Sequence, residues 1–129
     1  MVYSIDWYQE GKVILANVQG SVTLDDLGSL QEQVFAYLDN GTAPIHLIVD
    51  TTNLGQMPLK LNELRNVTRY MADDRFGWQV IVGGLNPIAR MIGSILMQLA
   101  GREIILVNNM TEAEQRLSRI DKEVSLPQH

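Results

Sequence analysis

Apolar residues recur along the chain at two different periods, and these periods predict an alternation of strands and helices. Apolar and polar residues alternate over 3–8, and Glu10-Gly11 supplies a turn before the apolar run 12–19, so these segments predict a β-hairpin. Three later runs are short, apolar and rich in branched residues, as strands buried on both faces are: Ile45–Asp50, 78–82 and 103–107. The pattern therefore predicts about five strands.

Helical spacing of apolar residues predicts a helix after each strand from the second strand onward. The first helix begins at Thr23, whose hydroxyl forms a capping box with Asp26, and ends at Asn40-Gly41. The second helix is predicted to have Pro58 in its first turn, where a missing N–H costs nothing. Its apolar side is predicted to consist of Leu61, Leu64, Val67 or Thr68, and Met71.

The third and fourth helices carry their own start and stop signals. Asn86 caps the third helix, which runs over 88–100 until Gly101 stops it. Thr111 and Glu114 predict a second capping box, which opens the fourth helix. The inward residues of this last helix are predicted to be Leu117 and Ile120.

The order of these elements predicts the fold class. Strands that are separated by single helices need parallel crossovers, so the chain is predicted to be an α/β protein with a mixed, mostly parallel sheet. The predicted sheet has about five strands, of which the first two form an antiparallel N-terminal hairpin. About four helices are predicted to pack against it. A chain of 129 residues suits one domain over 1–124, and we expect the tail 125–129 to be disordered.

Composition removes several classes of function. Ten basic and fifteen acidic residues give a net charge of −5, which argues against nucleic acid and anionic membranes as partners. The absence of cysteine excludes a disulfide framework, a thiol nucleophile and cysteine-ligated metals. The start of the chain lacks the pattern of a secretory signal, and the most apolar stretch, 88–100, is too short to cross a bilayer. We therefore expect a cytoplasmic protein that does not insert into membranes.

Residues for catalysis are few. His46 lies inside an apolar strand without a second histidine nearby, so we interpret it as a strand histidine whose ring nitrogens are satisfied by neighbours. The adjacent pairs Asp25-Asp26 and Asp73-Asp74 do not imply a shared-proton dyad, because neighbouring residues on a helix do not face one another. We predict no catalytic residue, no metal and no cofactor. An enzyme with Asp50 as a base ranks last among the hypotheses.

A glycine-rich turn precedes the third helix and is the best candidate for a small ligand. Gly83-Gly84 follows a strand and Asn86 caps the helix, an arrangement that can offer N–H groups to an anion. The turn matches neither of the usual nucleotide-binding motifs, and a tight turn explains it as well. Gly83, Gly84 and Asn86 are therefore candidates for binding a nucleotide or an acyl ligand.

The third helix is more apolar than a covering helix needs to be. Its polar residues, Arg90, Ser94 and Gln98, form one narrow stripe, while the remainder is apolar apart from small Gly93. Either a neighbouring helix covers the surplus, or the helix docks a second protein or an identical copy. Methionines such as Met91 suit an adaptable contact surface.

The order of elements and four local phrases together resemble the STAS domain, the fold of bacterial anti-sigma-factor antagonists and of the cytoplasmic tails of sulfate transporters. The phrases that carry the resemblance are ANVQGSVT at 16–23, IVDTTNL at 48–54, IVGGLNPIAR at 81–90, and Gly101 followed by TEAE at 111–114. They cover nearly the whole chain. The resemblance implies a non-enzymatic module that binds proteins in a bacterial signalling pathway.

One feature of the STAS antagonists is missing. They carry Asp-Ser-Ser-Gly at the start of helix two, where a partner kinase phosphorylates a serine. The corresponding positions, counted from Asp50, are Pro58, Leu59, Lys60 and Leu61, which have no hydroxyl. We therefore expect a module without the usual phosphoserine switch.

Two hypotheses remain for the function. The first is a protein-binding module, or one that dimerises through helix three, with a contact surface formed by Asp50, Thr51, Thr52, Asn53, Leu59, Lys60, Met91 and Ile95. The second is a sensor that binds a nucleotide or acyl ligand at the carboxyl ends of the strands, where open α/β sheets bind ligands.

Overall fold

The apolar runs of the sequence pair into one mixed sheet. A computed structural model describes residues 2–84 and 86–125, and over these residues the sheet has five strands in the order β1-β2-β4-β6-β7. The strands are β1 (Tyr3–Gln9), β2 (Val13–Val18), β4 (Ile45–Asp50), β6 (Phe76–Val82) and β7 (Ile105–Val107). β1 and β2 form the predicted antiparallel hairpin, and the other neighbours are parallel. The predicted α/β fold class is confirmed.

Four α-helices are described: α1 (Leu24–Asp39), α2 (Leu61–Val67), α3 (Pro87–Ala100) and α4 (Met110–Ile120). Successive parallel strands are added in one direction along the sheet, and right-handed crossovers then bring α1, α2 and α3 to the same face. α4 follows the last strand and covers the opposite face. No described helix has the length and apolar character needed to cross a membrane.

The alternation of side chains along the strands separates two apolar cores. Ile14, Leu47 and Ile81 face the layer of α1 and α3, whose Val34 and Ile92 pack on them. On the other face lies a smaller core, which is closed by α4 and the segment after it. It is formed by Val13, Ile48, Val80, Val82, Ile105, Val107, Ala113, Leu117 and Val124. Successive side chains of a strand point to opposite faces of the sheet, so each central strand contributes apolar residues to both cores.

The caps of α1 and α3 are as predicted. The Thr23 hydroxyl accepts from the Asp26 N–H, and the Asp26 carboxylate accepts from the Thr23 N–H. The Asn86 side chain accepts from the N–H of Ile88 at 2.9 Å. Gly101, at φ +63°, ends α3 in the left-handed conformation.

The predicted start of the second helix is wrong. α2 begins at Leu61 with Lys60 as its N-cap, and Pro58 lies in the preceding irregular segment. A two-stranded parallel sheet causes the shift, because β3 (Gly20–Ser21) pairs with β5 (Leu54–Gln56). This pairing holds the chain extended after Asp50. α2 then ends at Val67 and is followed by a 3₁₀ helix over Arg69–Ala72.

Three smaller predictions also differ from the structure. Asn109, not Thr111, caps α4, because its side chain accepts from the N–H of Glu112 at 2.9 Å. Leu117 is buried as predicted, but Ile120 is 42% exposed. Leu61 is 39% exposed instead of facing the core, because the helix starts later than expected. Residues 126–129 of the predicted tail, and Leu85 before α3, lie outside the described residues.

Candidate functional site

The carboxyl ends of β4, β6 and β7 meet at one edge of the sheet and bring several predicted site residues together. Asp50 lies opposite Val82, which in turn lies opposite Val107. The Thr51 N–H and hydroxyl both donate to the Val82 carbonyl, at 2.9 and 2.7 Å. The Thr51 side chain therefore joins β4 to β6. Because Thr51 is only 2% exposed, it offers no contact surface to a partner.

Asp50 makes a local turn with the residue two positions later. Its Oδ1 accepts from the N–H of Thr52 at 2.9 Å and from the Thr52 hydroxyl at 2.6 Å. Such a turn fixes the loop and leaves Thr52 and Asn53 exposed. Among the described residues, no acidic or basic side chain forms a hydrogen bond or an ion pair with Asp50.

The Gly83-Gly84 turn uses its donors within the protein. Both N–H groups donate to the Val107 carbonyl at 3.0 Å. Gly83 has φ +115°, and a Cβ at this position would lie 2.7 Å from the Thr51 hydroxyl. Close packing against Thr51 therefore accounts for this glycine, and the two N–H groups are not available to an anion.

Asn86 is also occupied by protein groups. Besides capping α3, its Nδ2 donates to the carbonyls of Thr51 and Leu54, both at 3.2 Å. Asn86 thus ties the start of α3 to the loop after β4. A ligand at this turn would have to displace these bonds.

α3 leaves apolar side chains on the surface. Ile92 and Leu96 face the sheet, and the predicted polar stripe of Arg90, Ser94 and Gln98 is exposed. Met91, beside this stripe, is 52% exposed, and Ile95 on the same flank is half-buried. Met97, on the other flank of the stripe, is 42% exposed. Described neighbouring helices therefore do not cover these methionines.

The start of α2 also carries an exposed apolar side chain. Lys60 is exposed and its side chain makes no capping hydrogen bond, and Leu59 is half-buried. Leu61 follows as an exposed leucine on a helix that contacts α3. The spacing of apolar residues in the sequence predicts that Leu61 faces the core, so sequence analysis missed it as a surface residue. Knowing that α2 begins at Leu61 would have been needed to place it on the surface.

His46 is a satisfied core histidine, as predicted. Its ring is 1% exposed, its Nδ1 accepts from the Trp78 N–H at 2.9 Å, and its Nε2 lies 2.9 Å from the Asp121 carboxylate. Because Nδ1 accepts, the neutral ring carries its proton on Nε2, and this N–H donates a hydrogen bond to the Asp121 carboxylate. Buried Lys12 lies 3.4 Å from the same carboxylate. No cluster of three or more metal-ligating side chains occurs among the described residues.

We expect this histidine to make the protein less stable in acid. Burial is the main cause that lowers the pKa of His46 below 6.5, outweighing Asp121, which favours the charged ring. The unfolded state therefore binds the proton more readily, and the free energy of unfolding falls as pH drops below about 6.5. The pKa of Asp121 is lowered mainly by its hydrogen bond from His46, so a further loss follows as pH falls below about 4.

Urea unfolding between pH 8 and 5 measures this slope. His46→Gln, which has no titrating ring, serves as the comparison and should flatten the profile between pH 7 and 5. An equally steep profile in that variant would assign the slope to other groups.

Comparisons with known proteins give a match at the level of structure. No protein-family model matches the sequence, and no curated protein matches it. The structure of the anti-sigma factor antagonist SpoIIAA in its unphosphorylated form aligns with a TM-score of 0.62 and 11% identity, over 92% of this chain and 98% of that one. The phosphorylated form of SpoIIAA, a Bacillus cell fate determinant, aligns with a TM-score of 0.58 and 11% identity, over 89% and 98%. The chain therefore has the fold of SpoIIAA, and the resemblance to the STAS domain is confirmed as a likeness of fold.

Proposed function

We propose that the chain is a non-enzymatic, STAS-like regulatory module of a bacterial signalling pathway, which acts by binding another protein or a second copy of itself. The exposed apolar side chains on the contacting helices α2 and α3 are the observation that carries this proposal. Polar groups that could have served chemistry, at His46, Asp50 and the Gly83-Gly84 turn, are bonded to other parts of the chain.

The proposed contact surface combines a fixed loop with two helices. We call it the α2–α3 surface and define it as Thr52, Asn53, Leu59, Lys60, Leu61, Met91 and Ile95. Apolar anchors surrounded by polar residues are the arrangement that gives protein interfaces most of their affinity. Thr51 is not part of it because it is buried, and Asp50 contributes by holding the loop.

The proposed module works without phosphorylation at the start of α2. Residues 58–61 contain no serine, threonine or tyrosine, so a kinase has no acceptor there. Thr51, the nearer of the two upstream threonines to the core, donates its hydroxyl to the Val82 carbonyl. Regulation is then a matter of whether the partner is present, not of a phosphate on this helix.

A ligand sensor at the Gly83-Gly84 turn has less support. The fold places this turn at the carboxyl ends of the strands, where ligands of open sheets bind. However, both glycine N–H groups and the Asn86 side chain already have protein partners. A nucleotide would need to replace all of these hydrogen bonds.

Met91→Asp should remove binding through the α2–α3 surface. A charge placed in an apolar contact must be desolvated without a partner, so we expect a loss of about 2 kcal/mol or more, roughly thirtyfold in affinity. Lys60→Glu should weaken the same interaction through reversed charge. Both variants should keep the wild-type melting temperature, because Met91 and Lys60 are exposed.

The matched control is Met97→Asp, the same substitution on the same helix but on the other flank of the polar stripe. Self-association is measured by sedimentation equilibrium, and partners are measured by quantitative capture from a lysate of the source organism. Equal capture and equal self-association by Met91→Asp and wild type would show that this surface is not the contact.

A further inference from the structure

A cavity lies inside the larger core, between the sheet and the layer of α1, α2 and α3. Its volume is about 70 Å³, and its walls are almost wholly apolar. The sheet contributes Leu47 and Ile81, and the three helices contribute Val34, Leu64, Ile92 and Leu96. None of the residues of the α2–α3 surface lines this cavity, so binding of a ligand inside it can be measured on the isolated protein, without a partner.

The wall has no group that would hold a charged ligand. None of the described lining residues is aspartate, glutamate, lysine, arginine or histidine. The polar side chains at the wall already have partners within the protein. Tyr70 donates to Gln79 at 2.9 Å, and the hydroxyls of Thr51 and Thr68 donate to the carbonyls of Val82 and Leu64. Gln31 bonds the backbones of Asn66 and Arg69. A buried polar or charged group of a ligand would therefore remain unpaired, which is costly.

Apolar cavities of this kind stay dry and accept apolar guests. A cavity of ~150 Å³ lined by aliphatic side chains binds benzene or xenon. The present cavity is about half that size. It therefore suits a xenon atom or a few carbon atoms of a chain, rather than an aromatic ring.

α2 is the shortest of the three helices that line the cavity. It has seven residues, buries Leu64 alone among them, and starts without a side-chain cap. Helices this short have little stability of their own and depend on packing. Val67, at the end of α2, lines both the cavity and an open groove between α1 and α2.

The groove outside Val67 selects against anions. Asp25, Glu32 and Glu63 line it, and no described basic residue does. Like charges would repel a carboxylate or a phosphate at this opening. A fatty acid or a nucleotide is thus a poor guest, whereas an uncharged chain meets no such barrier.

We propose that the cavity binds the end of a short, uncharged aliphatic chain, which enters past Val67 between α1 and α2. Xenon and n-hexanol are the probes, and hexanoate is the anionic counterpart of the same length. The readout is the methyl region of ¹H–¹³C NMR spectra at pH 7. Saturable shifts are expected at the methyl groups of Val34, Leu64 and Ile92. Methyl groups of Val80 and Ile105, in the other core, should not move.

Hexanoate should bind at least tenfold more weakly than n-hexanol. Val67→Phe should abolish the n-hexanol shifts by filling the opening. Its matched control, Val2→Phe, makes the same change at a half-buried valine that does not line the cavity. Absence of saturable shifts with both xenon and n-hexanol, equal binding of hexanoate, or full binding by Val67→Phe would each overturn the proposal.

Discussion

Asp121→Ala should be among the most destabilising single changes in this protein, with a loss of about 3 kcal/mol in the free energy of unfolding. The carboxylate accepts from His46 at 2.9 Å and lies 3.4 Å from the Lys12 ammonium. Both partners are buried, at 1% and 6% exposure, so neither gains water when the carboxylate is removed. Breaking a buried ion pair by removing one partner leaves a charge without compensation.

The decrease in the free energy of unfolding caused by Asp121→Ala should lie near the lower end of the range for broken buried ion pairs. Lys12 retains the Thr42 carbonyl at 3.3 Å and the Glu123 carboxylate at 3.9 Å. Asp121→Asn should cost less than Asp121→Ala, because its amide oxygen still accepts from His46. Urea denaturation measures both changes, with exposed Asp74→Ala as the control that should change stability by less than about 0.5 kcal/mol. A loss below about 1 kcal/mol for Asp121→Ala would mean that Lys12 and His46 find other partners or water.

Gly77→Ala should also be severely destabilising, by about 3 kcal/mol, because β6 passes directly beside the His46 ring. A Cβ on Gly77 would lie 2.4 Å from His46 Nδ1 and 2.5 Å from its Cε1. The ring cannot move aside easily, since the Trp78 N–H and Asp121 hold its two nitrogens. Thermal unfolding should show a decrease in melting temperature on the order of 10 °C.

A double-mutant cycle tests the cause of this loss. In the background of His46→Ala, where the ring is absent, Gly77→Ala should cost at least about 1.5 kcal/mol less than in the wild type. Gly28→Ala is the control for a glycine with free space, as no atom lies within 4 Å of its added Cβ. This helical substitution should stabilise the protein by roughly 0.5–1 kcal/mol. If Gly77→Ala lowers the free energy of unfolding equally in both backgrounds, the added methyl group does not act through the His46 ring.

These two predictions concern the opposite end of β4 from the proposed contact surface. His46 is near the start of β4, whereas Asp50 ends the strand and opens the loop of the α2–α3 surface. Variants at His46, Gly77 and Asp121 therefore test the stability of the fold, and Met91→Asp tests binding. The two groups of results can be separated, because loss of binding through the α2–α3 surface is expected without a change in melting temperature.

Much of the fold follows from local sequence. The strand over Ile45–Asp50 was predicted with its observed bounds, because a short, apolar run rich in branched residues is typical of a strand buried on both faces. The caps at Thr23 and Asn86 were also predicted, since their hydrogen bonds join residues two or three positions apart. Signals that act over such short distances can be read without knowing the tertiary structure.

The start of α2 could not be predicted in this way. Pro58 and the leucines after it fit a helix, but Gly20–Ser21 pairs with Leu54–Gln56 from more than 30 positions away and keeps the chain extended. Exposure of Leu61, and with it part of the proposed contact surface, depends on this pairing. The interior cavity is likewise a property of how α1, α2 and α3 pack, which apolar periodicity alone does not define.

His46 shows the division between sequence and structure most clearly. The sequence determined that this histidine lies in a buried strand and has no histidine partner, which argued against catalysis or metal binding. Only the tertiary structure decided that Asp121, 75 positions away, would accept a hydrogen bond from this ring and that Lys12 would lie beside the same carboxylate. Secondary structure arises from short-range hydrogen bonds and apolar periodicity, which the sequence encodes locally. Partners of buried polar groups and the exposure of Leu61 and Met91 depend on which elements come together, and only folding of the whole chain determines that.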